Sequence, residues 1–152
     1  MPVIESTYTA PHLFKNPHIA TIFAATLRKV NFTTEKRERL ELSDGDFLDL
    51  DWAFSKKQTK KLVIAMHGLA GNANRPYMLG MGKIFTNNGW DYCAMNFRSC
   101  SGEINRLYRS YNAGATEDLE DVLNYVLRKN NYEQIALIGF SLGGNLLLKY
   151  LG

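Results

Sequence analysis

The sequence predicts an α/β protein: a mostly parallel sheet with helices on both faces and an antiparallel hairpin at its amino-terminal side. Three observations carry this. Residues 37–42 and 47–54 alternate in hydrophobicity around a Ser43-Asp44-Gly45-Asp46 turn. Residues 62–66, 92–97 and 135–138 are short, continuously apolar runs, as expected of strands covered on both faces. Helix-period stripes separate those runs, and such alternation implies parallel strands joined through helices.

Residues 1–35 read as a lead-in, with prolines at 2, 11 and 17. Asn16-Pro17 opens a helix to about residue 29, with Pro17 suited to its first turn. Ile19, Ile22, Phe23 and Leu27 form its apolar stripe. Arg28 and Lys29 fall where a helix end favours cations. Residues 36–152 read as the first part of a core domain. In its hairpin, Leu40, Leu42, Leu48, Leu50 and Trp52 share one face. Asp49 and Asp51 take the other, which is expected to be wet.

A helix is expected over 74–88, with Tyr77, Met78, Met81, Ile84 and Phe85 as its stripe. Gly80 and Gly82 weaken it intrinsically, by about 1 kcal/mol each, and would permit close packing on the sheet. Residues 116–130 form the clearest helix. Leu119, Val122, Leu123, Val126 and Leu127 keep its apolar spacing, acids load its first turns, and Arg128 and Lys129 load its last. A final helix is expected over 142–151.

Composition excludes several classes. The chain has 152 residues, 45% hydrophobic and 22% charged, as in an ordinary globular domain. The longest apolar-leaning stretch, 19–27, is far short of the ~20 residues of a membrane helix. A net charge of +3 without a concentrated basic face does not suggest a nucleic-acid binder. Lys56, Lys57, Lys60 and Lys61 read as a solvated loop. Two cysteines, Cys93 and Cys100, make no disulfide framework. The amino terminus lacks a secretory pattern, so a reducing, cytoplasmic home is expected. No metal-ligand spacing or phosphate-binding loop appears, and neither metal nor cofactor is expected. Oligomeric state is not legible.

The chemistry lies in Gly139-Phe140-Ser141-Leu142-Gly143. This G-x-S-x-G pattern follows a buried strand and opens a helix, the setting of a nucleophile elbow. The serine is expected in a strained turn that lifts its oxygen above the sheet. Side chains two residues before and after would collide there, hence glycine at 139 and 143. His67-Gly68-Leu69-Ala70-Gly71 leaves the 62–66 strand, where such proteins place one oxyanion-hole N–H. The backbone N–H groups of Leu69 and Leu142 are the candidates. His67 is expected to hydrogen-bond within its loop, with a general-base role as the alternative. Gly68 supports the same motif. All three histidines, His12, His18 and His67, precede Ser141, and the eleven residues after it contain no Asp, Glu or His. A nucleophile with an oxyanion hole is therefore legible, but no triad.

These residues resemble the YheT-like hydrolases (the AB hydrolase 4 family) of the α/β-hydrolase superfamily, amino-terminal half only. The resemblance runs through 16–21, 67–71, 96–102, 114–119 and 139–152. It implies an α/β-hydrolase fold and a serine–aspartate–histidine mechanism, with the acid and histidine downstream of the elbow. It also implies hydrolysis of carboxylic esters, of short-chain acyl or glycerolipid type. Ser99 departs from the pattern, standing where the family usually has glycine. Arg98 is expected to pair with Glu117 or Asp118, a substrate-binding role being its alternative. Cys100 reads as a space-filling thiol.

The expected function is a serine esterase with Ser141 as nucleophile and a small-molecule ester or lipid substrate. The 152 residues, read as truncated after the elbow helix, are expected to be inactive alone. A non-catalytic, hydrolase-derived binding module and an acyltransferase on the same fold are the alternatives.

Overall fold

The structure, a computed structural model, describes residues 5–129 and 132–152. It forms two compact units, one ending at Val30 and one running Asn31–Gly152.

In the first unit, a 3-10 turn His12–Lys15 precedes helix α1, Pro17–Ile22. The Asn16 side chain caps α1 by accepting from the His18 and Ile19 N–H groups, and Pro17 fills the first turn as expected. The expected helix to residue 29 does not continue as an α-helix. Its last stretch, Phe23–Leu27, widens into a π-type turn, and Arg28 is extended. The hydroxyls of Thr21 and Thr26 bond back to the carbonyls of Pro17 and Ile22, a contact that bends helices.

The second unit is a five-stranded sheet: β1 Lys36–Glu41, β2 Phe47–Ala53, β3 Lys61–Met66, β4 Asp91–Met95 and β5 Gln134–Gly139. The spatial order is β1-β2-β4-β3-β5. β1 and β4 both pair antiparallel with β2, whereas β3 pairs parallel with β4 and with β5. Helices α2 (Pro76–Asn87), α3 (Thr116–Lys129) and α4 (Leu142–Leu151) supply the crossovers and close the elbow.

Two apolar clusters sandwich the sheet. Leu50, Trp52, Leu62, Ile64, Met66, Cys93 and Met95 face Leu119, Val122 and Val126 of α3 and Leu146 of α4. Val63, Ala65, Tyr92 and Ala94 face Met78 of α2. β3 and β4 thus spend alternate residues on opposite cores, which is why both read as unbroken apolar runs. Gly82 lets α2 approach: a Cβ there would lie 2.5 Å from Phe32 and 3.0 Å from the Tyr92 ring.

The second face of the hairpin is not wet, contrary to expectation. Asp49 and Asp51 are 3% and 2% exposed. Arg37, directly opposite Asp51, grips it bidentately at 2.7 and 2.8 Å, and Arg39 does the same to Asp49 at 2.9 and 3.1 Å. Asn96 donates to Asp51 from below, and the Ser101 hydroxyl to Asp49. Burial of a carboxylate is tolerated when it is paired and hydrogen-bonded in this way.

Candidate active site

Ser141 stands between the end of β5 and the start of α4, exposed, with φ +52° and ψ −113°. An L residue there is strained, and such strain clusters at functional sites. The turn is fixed from several sides. The Phe140 N–H donates to the Met66 carbonyl at the end of β3, and the Gly143 N–H to the Phe140 carbonyl. A Cβ on Gly139 would run into the Gly143–Gly144 peptide at 2.5 Å. One on Gly143 would lie 2.7 Å from the carbonyl oxygens of both Met66 and His67. Each glycine is thus needed for a different backbone approach: 139 within the elbow, 143 against the tip of β3.

The 67–71 loop lies alongside. The ideal Cβ direction of Gly68 points at the Ser141 Cβ, 3.3 Å away. The Gly71 N–H donates to the Gly68 carbonyl at 3.0 Å, closing a tight turn with Leu69 and Ala70 at its centre. Among the described residues, the N–H groups of Leu69 and Leu142 donate to nothing. Leu142 also opens α4, whose first turn favours negative charge.

His67 is fully buried. Its Nε2 accepts the Phe97 N–H at 3.1 Å, so Nδ1 carries the proton and donates to the Gly68 carbonyl at 2.7 Å. Burial lowers its pKa, against a smaller opposing effect from the Gly68 bond. A ring with both nitrogens engaged has no lone pair to offer Ser141. It is the only histidine in residues 31–152.

Arg98 takes the structural role. It is 2% exposed and bonds Asp118 twice, Asp46 at 2.9 Å and Asp44 at 2.8 Å. Glu117, the other expected partner, pairs with Arg109 instead. Cys93 is buried and Cys100 half-buried; burial raises the pKa of both thiols. Among the described residues no cluster of His, Cys, Asp and Glu suits a metal ion. No helix among them is long and apolar enough to cross a membrane.

Sequence reasoning missed Tyr77, Tyr111 and Arg75, which bind this loop. The Gly68 N–H donates to the Tyr77 hydroxyl at 3.1 Å and the Ala70 N–H to that of Tyr111 at 3.0 Å. Arg75 donates to the Ala70 carbonyl at 2.9 Å. Tyr77 belonged to an apolar helical stripe and Tyr111 to a loop without period, so neither carried a signal.

A strained serine on a strand-to-helix turn at the edge of a mixed, helix-covered sheet defines the class of fold. Comparison with known proteins agrees: the chain belongs to the alpha/beta hydrolase fold family, whose sequence signature matches residues 61–152. The resemblance to YheT-like hydrolases is borne out. The putative esterase YheT of Escherichia coli K12 is 40% identical over 136 residues, 88% of this chain and 40% of that protein. Phospholipase ABHD3 of Bos taurus is 28% identical over 158 residues, 99% of this chain and 38% of that one. The chain therefore spans about two fifths of the length of these relatives. A solved α/β serine hydrolase without a lid, from Xanthomonas campestris, superposes with a TM-score of 0.66 at 20% identity. That match covers 81% of this chain and 58% of that one.

Proposed function

We propose that this chain carries the nucleophile and oxyanion hole of a serine hydrolase acting on carboxylic esters. The observation that carries the reading is Ser141 at φ +52° beside two unpaired amides, Leu69 and Leu142. Ser141 Oγ attacks the ester carbonyl and its proton passes to a base. The carbonyl oxygen becomes an oxyanion held by the two amides, a contact worth ~10²–10³ in turnover per donor. Collapse expels the alcohol, which takes the proton. Water then cleaves the acyl-serine by the same route in reverse. The base comes from outside residues 31–152, because His67, the one histidine among them, is occupied. Residues 1–152 alone are expected to be inactive, because in this fold the acid and histidine follow the nucleophile and residues 142–152 hold no Asp, Glu or His.

The relatives' names, esterase and phospholipase, support a small-molecule ester or glycerolipid substrate. No nucleic acid, metal or cofactor takes part in this scheme. The two free thiols suit a reducing, cytoplasmic compartment. The test uses the full-length product of the reading frame, with p-nitrophenyl esters and a fluorophosphonate probe. Probe adducts should map to Ser141, and Ser141→Ala should lower turnover at least ~10³-fold with the fold retained. Unchanged turnover in that variant overturns the reading.

A further inference from the structure

Ala70 is the second central residue of the 68–71 turn and sits at φ +52°. That region costs an L side chain about 1–2 kcal/mol, and it persists only where neighbours over-determine it. Both polar groups of Ala70 are held. Its N–H donates to the Tyr111 hydroxyl at 3.0 Å, and its carbonyl accepts from Arg75 at 2.9 Å. On the other side of Leu69, the Gly68 N–H is taken by the Tyr77 hydroxyl. Leu69 itself is 72% exposed and, among the described residues, its backbone has no hydrogen-bond partner to fix it.

Tyr111 is well placed to act as an anchor. Its ring stacks on Phe97, with centroids 5.5 Å apart and planes 11° from parallel. Phe97 is buried and packs on the His67 ring at 4.5 Å, while its N–H holds His67 Nε2. The hydroxyl that grips Ala70 is thus tied to the sheet core rather than to another surface loop.

We propose that Tyr111 is a positioning residue for the oxyanion hole: its hydroxyl holds Ala70 in the strained conformation, and that fixes the direction of the neighbouring Leu69 amide. This rests on the hydrolase reading above. Losing the hydroxyl lets the Leu69–Ala70 peptide rotate towards an unstrained φ, and Leu69 turns with it. Misplacing a transition-state contact by about 1 Å costs on the order of 10²-fold in rate. The ground-state ester gains little from that amide, so the loss falls on kcat rather than KM.

The experiment is Tyr111→Phe in the full-length protein, which keeps the ring stack and removes only the hydroxyl. Ester kinetics are read beside the amide NMR signal of Ala70, using protein labelled with ¹⁵N-alanine. The expected result is a kcat lowered ~10–100-fold, KM within about twofold, and faster hydrogen exchange at Ala70 only. An unchanged kcat, or a raised KM with kcat kept, overturns the proposal, as does an Ala70 amide that exchanges as in the wild type. If the wild type shows no Ser141-dependent turnover, the hydrolase reading fails and the catalytic role falls with it. The Ala70 exchange rate then reports separately whether Tyr111 holds the turn.

Discussion

Arg98 and Asp118 meet fork to fork, Nε to Oδ2 at 2.8 Å and Nη2 to Oδ1 at 2.7 Å, both almost wholly buried. The pair ties the loop after β4 to the first turn of α3, and Asp46 brings in the hairpin turn. Removing one partner of a buried ion pair strands the other charge. Arg98→Met should cost about 3–5 kcal/mol, read as a lower urea midpoint. Arg98→Lys should recover little, because an ammonium cannot form the two-pronged contact.

Acid should destabilise the protein in two stages. Burial depresses the His67 pKa, so the unfolded chain binds that proton more readily. The stability it contributes is complete above the unfolded value, about 6.5, and drains as pH falls through the lower folded value. Asp46 and Asp49 follow. Burial raises both carboxyls, but hydrogen bonds and nearby guanidinium groups outweigh it, and both end below the usual range. Their contribution is complete above about pH 4 and is lost below it. Urea melts across pH 7.5 to 3 should show both stages, and His67→Gln should remove only the first.

Ser99 adopts φ +59°, a conformation glycine takes freely. The side chain compensates. Its hydroxyl accepts the Asn105 N–H at 3.1 Å, and the Asn105 carboxamide oxygen accepts the Ser99 N–H. Ser99→Ala keeps the strain and loses the hydroxyl contact; Ser99→Gly loses both strain and contact. The alanine variant should melt lower than the glycine variant, by a difference of about 1–2 kcal/mol. Equal stabilities would mean that the positive φ carries no cost.

Gly143→Ala should damage the elbow without touching the serine. The added methyl meets two main-chain carbonyl oxygens at 2.7 Å, and neither is free to swing aside. A cost of about 1–3 kcal/mol is expected, together with slower fluorophosphonate labelling of Ser141. Labelling at the wild-type rate would show that the turn relaxes harmlessly.

β5 pairs with β3 alone among the described residues, and its apolar side chains are only half-buried. An open apolar edge invites pairing with other chains. Residues 1–152 produced alone should self-associate, as light scattering would show. A monomer that melts cooperatively would count against this.

The helices and buried strands were legible because their signals are local. The stripe of α3 is carried by Leu119, Val122 and Val126, and all three are buried. The pentapeptide around Ser141 was legible for the same reason: its glycines answer to approaches within a few residues and to the tip of β3. The hairpin's second face was misread because Asp49 and Asp51 look solvated until Arg37 and Arg39 are set opposite them. Cross-strand register supplies that, and composition does not. The start of α2 slipped from 74 to Pro76 because Asn72 organises a turn, accepting the Asn74 N–H on its side chain and the Arg75 N–H on its carbonyl. Tyr111 escaped altogether, since its partner Ala70 is 41 residues away.

The strand order has a consequence for the order of synthesis. β2 leaves the ribosome before β3, yet its lateral partner besides β1 is β4, whose first residue lies 38 positions beyond the end of β2. The Asp46 carboxylate, in the hairpin turn, accepts locally from the Phe47 N–H, but its other donors are Arg98, Asn105 and Arg106. The hairpin of the nascent chain therefore emerges early with Leu48, Leu50 and Trp52 still uncovered. It waits through the translation of β3 and α2 before anything can dock on it. Its strands stay open until β4 and the loop after it have been made, and that interval is when a chaperone would have most to shield.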